Sequence, residues 1–484
     1  MILHSKISKG VAERNWALPR FGTFDFLAGT SAMAMLFLLL AAGLKELQRD
    51  DARDGREGGP AIEKDGGGFA VVKKPKGLCN YRVTPVNFWL SMDMVQEGCR
   101  WQTFEQKLSV DFEFPVIFTR GLFQEENPLL KKVCQRLKEG RRHRVLVYLD
   151  EGVAEAQPEL VSQIQSWFSA YEEELELVAL PQIVPGGEAV KNDPELVFDV
   201  VRVAKKHKLC RHSFIIAIGG GAVLDMVGLG AALFHRGLRL IRVPTTILAQ
   251  NDAGVGVKNG INFNGIKNAL GTFAPPFAVI DDFDFWRTLS DIDWIGGVSE
   301  AFKVAIIKDV EFLKYLSENA DGLRERDEEP MEEVVRKCAL LHLEHIREGG
   351  DPFELGQARP LDFGHWSAHR LETLSKHRIH HGQAVAAGIA IDSVYANLKN
   401  WLSDDELELI LSGLEACGFP LWYDEFEWRN EQGEREIIQG LEDFREHLGG
   451  ELTVTFPRGI GARQEVSEID RELLEEALQR LASR

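Results

Sequence analysis

The sequence predicts an α/β domain built on a largely parallel sheet, followed by a mainly α-helical domain. Three observations predict it. Apolar strand runs alternate with helical stretches from about residue 104 to residue 285. One of those strands, FIIAI, runs into the glycine turn GGG and then a helical run, AVLD (residues 214 to 225). Beyond residue 286 strand runs give way to helical periodicity. At 484 residues the chain exceeds the roughly 250–300 residues that one core usually serves, so two domains are expected.

Taken in order, the chain opens with an extension, residues 1–103. Within it FLAGTSAMAMLFLLLAAGL (residues 26–44) carries no charge and approaches the ~20 residues that span a bilayer. Lys6, Lys9, Arg14 and Arg20 before it balance Lys45, Arg49, Arg53 and Arg56 after it, so charge gives no orientation. A membrane anchor or uncleaved signal, an apolar helix docked on the protein, and a dispensable start are the alternatives, and membrane contact is expected only through this segment. Residues 49–68, RDDARDGREGGPAIEKDGGG, hold little to bury and read as a disordered linker.

The α/β domain, residues 104–285, is expected to begin with the alternating run QKLSVDFEFPVIFT as a strand, then a helix through LLKKVCQRLKEG, then the strand RVLVYLD. FIIAIGGG, LRLIRVPTT and FAVIDD continue the alternation. The helical domain, residues 286–484, contains SEAFKVAIIKDVEFLKYLSENA, MEEVVRKCALLHLEHI and DDELELILSGLEACG, the last preceded by a capping box of Ser403 and Glu406.

Charge narrows the partners. The 75 acidic against 56 basic residues give −19, which repels phosphate backbones and excludes nucleic acid as the main partner. The cysteines Cys79, Cys99, Cys134, Cys210, Cys338 and Cys417 are scattered without a C-x-x-C pair, as expected of reduced thiols in a cytoplasmic protein.

Gly219, Gly220 and Gly221 let backbone N–H groups approach a phosphate without Cβ interference, although Leu224 occupies the last glycine position of the dinucleotide fingerprint. A plain tight turn is the alternative. PGGEAVK (residues 185–191) and PTT (residues 244–246) also follow apolar strands, where open α/β sheets bind ligands. Glu188 suits ribose hydroxyls there, and Lys191, Thr245 and Thr246 suit phosphates.

Five of the 13 histidines fall between His365 and His381. His365 and His369 are four apart in a helical stretch and share a face, while His381 sits just before Gly382 and a new helix, QAVAAGIAIDSVYA. Glu300 is the candidate third ligand of a metal site, with Lys303 on the same helical face. A solvated or core histidine pair is the competing reading. His377 and His380 flank Arg378 in a polar turn and are expected to be incidental.

The chain from about residue 104 to residue 484 resembles the dehydroquinate synthase superfamily of NAD- and metal-dependent sugar-phosphate cyclases. Residues 219–273 carry the family's glycine turn, its R-G, P-T-T and A-Q-x-D elements and two lysine-bearing segments in order; Glu300 to Lys303, Gly364 to His369 and His381 to Val385 supply its E-x-x-K, G-H-x-x-x-H and H-G-x-A-V elements. The resemblance implies a Rossmann-like NAD-binding domain followed by a mainly α-helical metal-binding domain. It implies a Zn2+ or Co2+ ion held by Glu300, His365 and His381, and active-site roles for Asp252, Lys258, Lys267, Asn268, Lys303, Asp362 and His369. Arg236 would reach the substrate phosphate of a neighbouring subunit in a homodimer. Asp150, Glu188, Lys191, Gly219, Gly220, Gly221, Asp225, Thr245 and Thr246 match cofactor-binding positions, with Gly152 standing where Asn is usual.

The implied chemistry is transient oxidation of a hydroxyl by NAD, phosphate elimination beside the new ketone, return of the hydride, and intramolecular aldol closure. This chain departs from dehydroquinate synthases where they bind a carboxylate. Ala358 replaces an Arg, Asp362 an Asn, and ungapped counting puts Glu344 at an upstream Lys. The DFGH form is similar to cyclases of sedoheptulose 7-phosphate, whereas His369 is as in dehydroquinate synthases. The expectation is a small-molecule substrate, an uncarboxylated ketose phosphate. The alternatives are dehydroquinate synthase itself, with Arg359 or another base reading the carboxylate, a metal-dependent alcohol or glycerol dehydrogenase, and a non-catalytic NAD-binding or membrane-tethered protein.

Overall fold

The computed structural model describes residues 106–264, 266–349, 353, 360–447 and 450–484, together with the short strands Glu63–Lys64 and Ala70–Val71. Those two strands pair antiparallel, so Glu63 and Lys64 depart from the expected linker. The apolar segment 26–44 and the rest of the extension lie outside the described residues. Among the described residues no helix is long and apolar enough to cross a membrane.

A compact unit spans Lys107–Arg484. It is organised by a seven-stranded parallel sheet: β1 (Val116–Thr119), β2 (His143–Asp150), β3 (Leu175–Leu177), β4 (Gln182–Val184), β5 (Phe214–Gly219), β6 (Arg239–Pro244) and, later in the chain, β9 (Ala278–Asp282). The order is β1-β9-β6-β5-β2-β3, with β4 also on β2. Fully buried runs such as VLVYL and FIIAI mark strands covered on both faces, as a parallel sheet requires. The expected first strand is shorter than the alternation implied. Leu108, Val110 and Phe112 stay exposed, and only Val116–Thr119 pairs with β9; alternation without a partner strand does not make a ladder.

Between β6 and β9 the chain forms an antiparallel hairpin, β7 (Lys258–Phe263) and β8 (Ile266–Phe273). The helices that matter for the site are α1 (Pro194–Lys206), α2 (Gly221–Leu233), α3 (Asp291–Lys308), α4 (Glu328–Glu348), α5 (His365–Leu374) and α6 (His381–Leu398). A second antiparallel pair, Val454–Pro457 with Arg463–Val466, interrupts the otherwise helical second part. The Ser403–Glu406 capping box forms as expected. Among the described cysteines, Cys134, Cys210, Cys338 and Cys417 form no disulfide; Cys79 and Cys99 lie outside.

Glycines decide how closely α3 and α6 cross. A Cβ on Gly382 would stand 2.2 Å from the Gly296 carbonyl oxygen, and one on Gly388 2.0 Å from that of Gly364. Each contact exists because the α6 glycine lacks a Cβ. The first brings the start of α6 against α3, and so His381 beside Glu300; the second brings the middle of α6 against Gly364, which precedes α5.

Candidate active site

The sheet register sets one row of groups at the C-terminal edge. Asp150 pairs with Val184, Leu149 with Ile218, and Gly219 with Pro244, so the turns after β2, β4, β5 and β6 emerge level. Between β2 and β5 the strand order reverses direction, which is where open α/β sheets bind their ligands. Gly219, Gly220 and Gly221 lie there, and none needs a left-handed φ. Space is their reason: a Cβ on Gly219 would lie 2.9 Å from Val223, and one on Gly221 3.1 Å from Ala253, whereas Gly220 faces only the Thr246 methyl at 3.5 Å.

Around this turn the remaining cofactor candidates take definite partners. The Asp150 carboxylate accepts from the N–H of Gly152 at the first turn of a short helix, 2.9 Å away. Lys191 is buried and donates to Asp225 (2.9 Å) and Asn268 (2.5 Å). Asn268, expected in the catalytic group, therefore meets the cofactor group through the hairpin. Glu188 accepts from Asn262 of the same hairpin. Thr246 Oγ1 accepts from the Ala249 N–H, while Thr245 Oγ1 is buried without a partner.

The second cluster forms where α3, α5 and α6 meet. Glu300 projects from mid-α3, His365 opens α5 and His381 opens α6. Glu300 Oε1 lies 3.5 Å from His365 Nε2 and 3.4 Å from His381 Nε2. One ligand atom from each residue falls within 4.8 Å of the others. Glu300 is 1 % exposed, yet neither oxygen accepts a well-aligned hydrogen bond. A buried carboxylate left this way is costly unless a cation completes it, so the donor set fits a divalent ion taking one carboxylate and two imidazoles.

The cluster continues as a chain of charged groups. Lys303 contacts Glu300 and, at 3.2 Å, Asp252. Burial disfavours its charge, but those two carboxylates outweigh burial and keep it an ammonium. Asp252 lies in a π-helical turn, Ala249–Ala253, a distortion frequent at functional sites. On its other side His342 Nδ1, from α4, stands 3.3 Å away.

For His381, burial lowers the pKa, but the carboxylates of Glu372 and Glu300 overcome it and push it up to about 9. Its ring therefore carries a proton that a metal ion must displace. His369, one turn along α5, has its ring 5.4 Å from that of His365 and 6.1 Å from that of His381; burial first, then Lys267, holds it neutral. Lys267 reaches from β8 to Glu372 of α5 at 3.3 Å.

Not every expected residue joins this cluster. Lys258 opens β7 with its side chain exposed. Asp362 is half-buried three residues before His365. Arg236 is exposed in a left-handed conformation beyond α2 and, among the described residues, forms no ion pair with the cluster. Ala358 and Arg359 lie outside the described residues. His380 caps α6, its N–H donating to Gln383, and His377 has positive φ in the turn.

Glu344, at the position where counting looked for a cation, is exposed; His342, two residues earlier on α4, is the residue that turns inward to Asp252. Neither His342 nor Glu372 was among the expected site residues. The spacing of Glu372, three after His369, was the available signal for the latter.

Residues 181–295 match the profile of the 3-dehydroquinate synthase N-terminal domain, and residues 297–438 that of the C-terminal domain. The 3-dehydroquinate synthase of Geotalea uraniireducens is 31% identical over 350 residues, covering 72% of this chain and 91% of that protein. Among solved structures, 2-epi-5-epi-valiolone synthase from Streptomyces hygroscopicus, with NAD+ and Zn2+ bound, gives a TM-score of 0.69 at 27% identity, covering 79% of this chain and 100% of that one. A 2-deoxy-scyllo-inosose synthase, complexed with carbaglucose-6-phosphate, NAD+ and Co2+, shares the fold at a TM-score of 0.60 and 19% identity, over 76% of this chain and 96% of that one. The sheet, the three-residue cluster and the match along both domains lead to one conclusion: the chain belongs to the 3-dehydroquinate synthase family of enzymes.

Proposed function

We propose that this chain is an NAD- and divalent-metal-dependent sugar-phosphate cyclase acting on an uncarboxylated ketose phosphate such as sedoheptulose 7-phosphate. The observation that carries the reading is the convergence of Glu300, His365 and His381 on one point, beside cations suited to a phosphate. Glu300, His365 and His381 would hold Zn2+ or Co2+, and the turn at Gly219–Gly221 with Asp150, Glu188, Lys191, Asp225, Thr245 and Thr246 would hold NAD. When bound, the two supply reversible hydride transfer and Lewis-acid polarisation of substrate hydroxyls.

The chain's own residues then bind, orient and neutralise. Lys303, kept charged between Asp252 and Glu300, stabilises developing negative charge at the reacting hydroxyl. Lys267, Asn268 and His369 gather the phosphate, whose own oxygen takes the proton during elimination. Lys258 holds a substrate oxygen at the mouth of the hairpin. The closing aldol step needs mainly fixed geometry. Arg236 would complete the phosphate site of a neighbouring copy in a homodimer.

Two groups support an uncarboxylated substrate. Asp362 offers acceptors to hydroxyls and would repel a carboxylate. His342, with burial foremost in lowering its pKa, sits neutral beside the Asp252 carboxylate, an environment that would leave a substrate carboxylate unpaired. The name of the Geotalea relative and the retained His369 favour a second reading, 3-dehydroquinate synthase itself.

Phosphate release from sedoheptulose 7-phosphate and from the seven-carbon keto-acid phosphate, measured side by side with NAD below enzyme-saturating turnover amounts, separates them. Release from the uncarboxylated sugar phosphate without net NADH is expected. Turnover of the acid alone would establish the second reading, and accumulation of NADH with an alcohol would replace both with a dehydrogenase.

A further inference from the structure

Two overlapping sets of potential ligands share His381: Glu300 with His365 and His381, and His369 with Glu372 and His381. The two carboxylates address different nitrogens of the ring. Glu300 Oε1 faces Nε2 at 3.4 Å, and Glu372 Oε2 faces Nδ1 at 3.2 Å. They also differ in what else they hold. Glu300 has no well-aligned donor on either oxygen, whereas Glu372 Oε2 already takes Lys267 Nζ at 3.3 Å as well as the imidazole.

Glu372 is itself buried, and it is carried on α5, the helix that His365 opens. Its hydrogen bond with His381 is therefore fixed by the packing of α5 on α6. With Nδ1–H donated to the Glu372 carboxylate, Nε2 is the nitrogen that faces Glu300 and would be left to an ion that displaces its proton.

We infer that Glu372 is a positioning residue of the metal centre: it orients His381 so that Nε2 completes the Glu300–His365 site, and it does not itself ligate the ion. Because the same oxygen pairs with Lys267 of the β7–β8 hairpin, Glu372 also ties the ligand histidine to a cation we assign to the phosphate. The inference rests on the metal reading above. Losing Glu372 costs the ion without removing any of its three ligands.

The test is zinc affinity by competition with a chromophoric chelator, with the visible absorption of the Co2+-loaded protein as a second readout. The wild type, Glu300→Gln, Glu372→Gln and Glu372→Asp are compared, with far-UV circular dichroism and melting as fold checks. Glu372→Gln is expected to weaken zinc about 10- to 100-fold, the usual effect of losing such a partner, and to shift the cobalt bands while keeping three protein ligands. Glu372→Asp keeps the charge but is too short for the 3.2 Å contact, and should lose nearly as much.

Zinc affinity and cobalt bands unchanged in a folded Glu372→Gln protein would overturn the inference, as would loss of the fold in both Glu372 variants, which would make the residue structural. Failure of the wild type to bind zinc, or unaltered binding by Glu300→Gln, would instead remove the metal reading beneath it.

Discussion

Glu300 and Asp281 are both buried carboxylates, and their surroundings give them opposite fates. Burial works to raise the Glu300 pKa, but Lys303 and His365 prevail and hold it well below the usual range. It is an anion waiting for a cation. Glu300→Gln should therefore weaken zinc by two orders of magnitude or more and abolish phosphate release, measured on a folded protein, since neutralising one of three ligands removes most of the charge that holds the ion.

Asp281, on β9, has no partner for either oxygen, and burial alone drives its pKa well up, so it folds neutral. The sign follows from linkage. Below the unfolded value near ~3.9 both states are protonated; above it the unfolded state ionises and the folded state does not, so stability falls as pH rises toward the folded pKa, by about 1.4 kcal/mol per pH unit. Asp281→Asn should remove this slope, giving a melting advantage that grows from pH 4 upward in thermal unfolding across pH. An advantage independent of pH would contradict it. At this scale the sequence was informative where a residue belongs to a motif, as with Glu300, His365 and His381. It was silent where burial decides, as with His342, whose inward turn depends on the packing of α4 against Asp252.

At the scale of elements, the site depends on how closely α6 approaches α3. Gly382→Ala places a methyl inside contact distance of the Gly296 backbone, and backbone cannot step aside as a flexible side chain can. Overpacking of this kind costs about 1–3 kcal/mol. The variant should melt lower and also bind zinc more weakly, because the methyl pries His381 from Glu300; a loss of stability with unchanged zinc affinity would separate the crossing from the site.

Helices and parallel strands were legible because their periodicity is local: His365 and His369 share α5 as expected, and α6 begins at His381, two residues before the expected Gln383. The β7–β8 hairpin was not anticipated, although Asn264 and Gly265 between two β-like runs carry a hairpin signal. The opposite error fell on residues 106–115, where alternation implied a strand and the sheet offers it no partner. The tight crossing of α3 and α6 was beyond reach, because it depends on one α6 glycine, Gly382, meeting the backbone of a helix distant in sequence.

At the scale of the whole unit, two separately built features must face each other: the glycine turn at the reversal of strand order, and the carboxylate–imidazole cluster among α3, α5 and α6. Two threads join them. Asp252, from the segment after β6, reaches Lys303 of α3, and the β7–β8 hairpin sends Asn268 to Lys191 and Lys267 to Glu372. Sequence order revealed both halves but not the hairpin's bridging part, which is a matter of long-range contact.

Because the two halves are separately built, chelator treatment should stop phosphate release while leaving NAD binding, followed by tryptophan fluorescence, within a few-fold of the untreated protein, and added zinc should restore release. The most direct test of the central claim is a zinc-edge anomalous difference map from crystals of the NAD- and zinc-loaded protein. The account predicts one strong peak within about 2.0–2.2 Å of a Glu300 oxygen and of Nε2 of both His365 and His381. A peak among His369, Glu372 and Nδ1 of His381, or none between α3, α5 and α6, would contradict it.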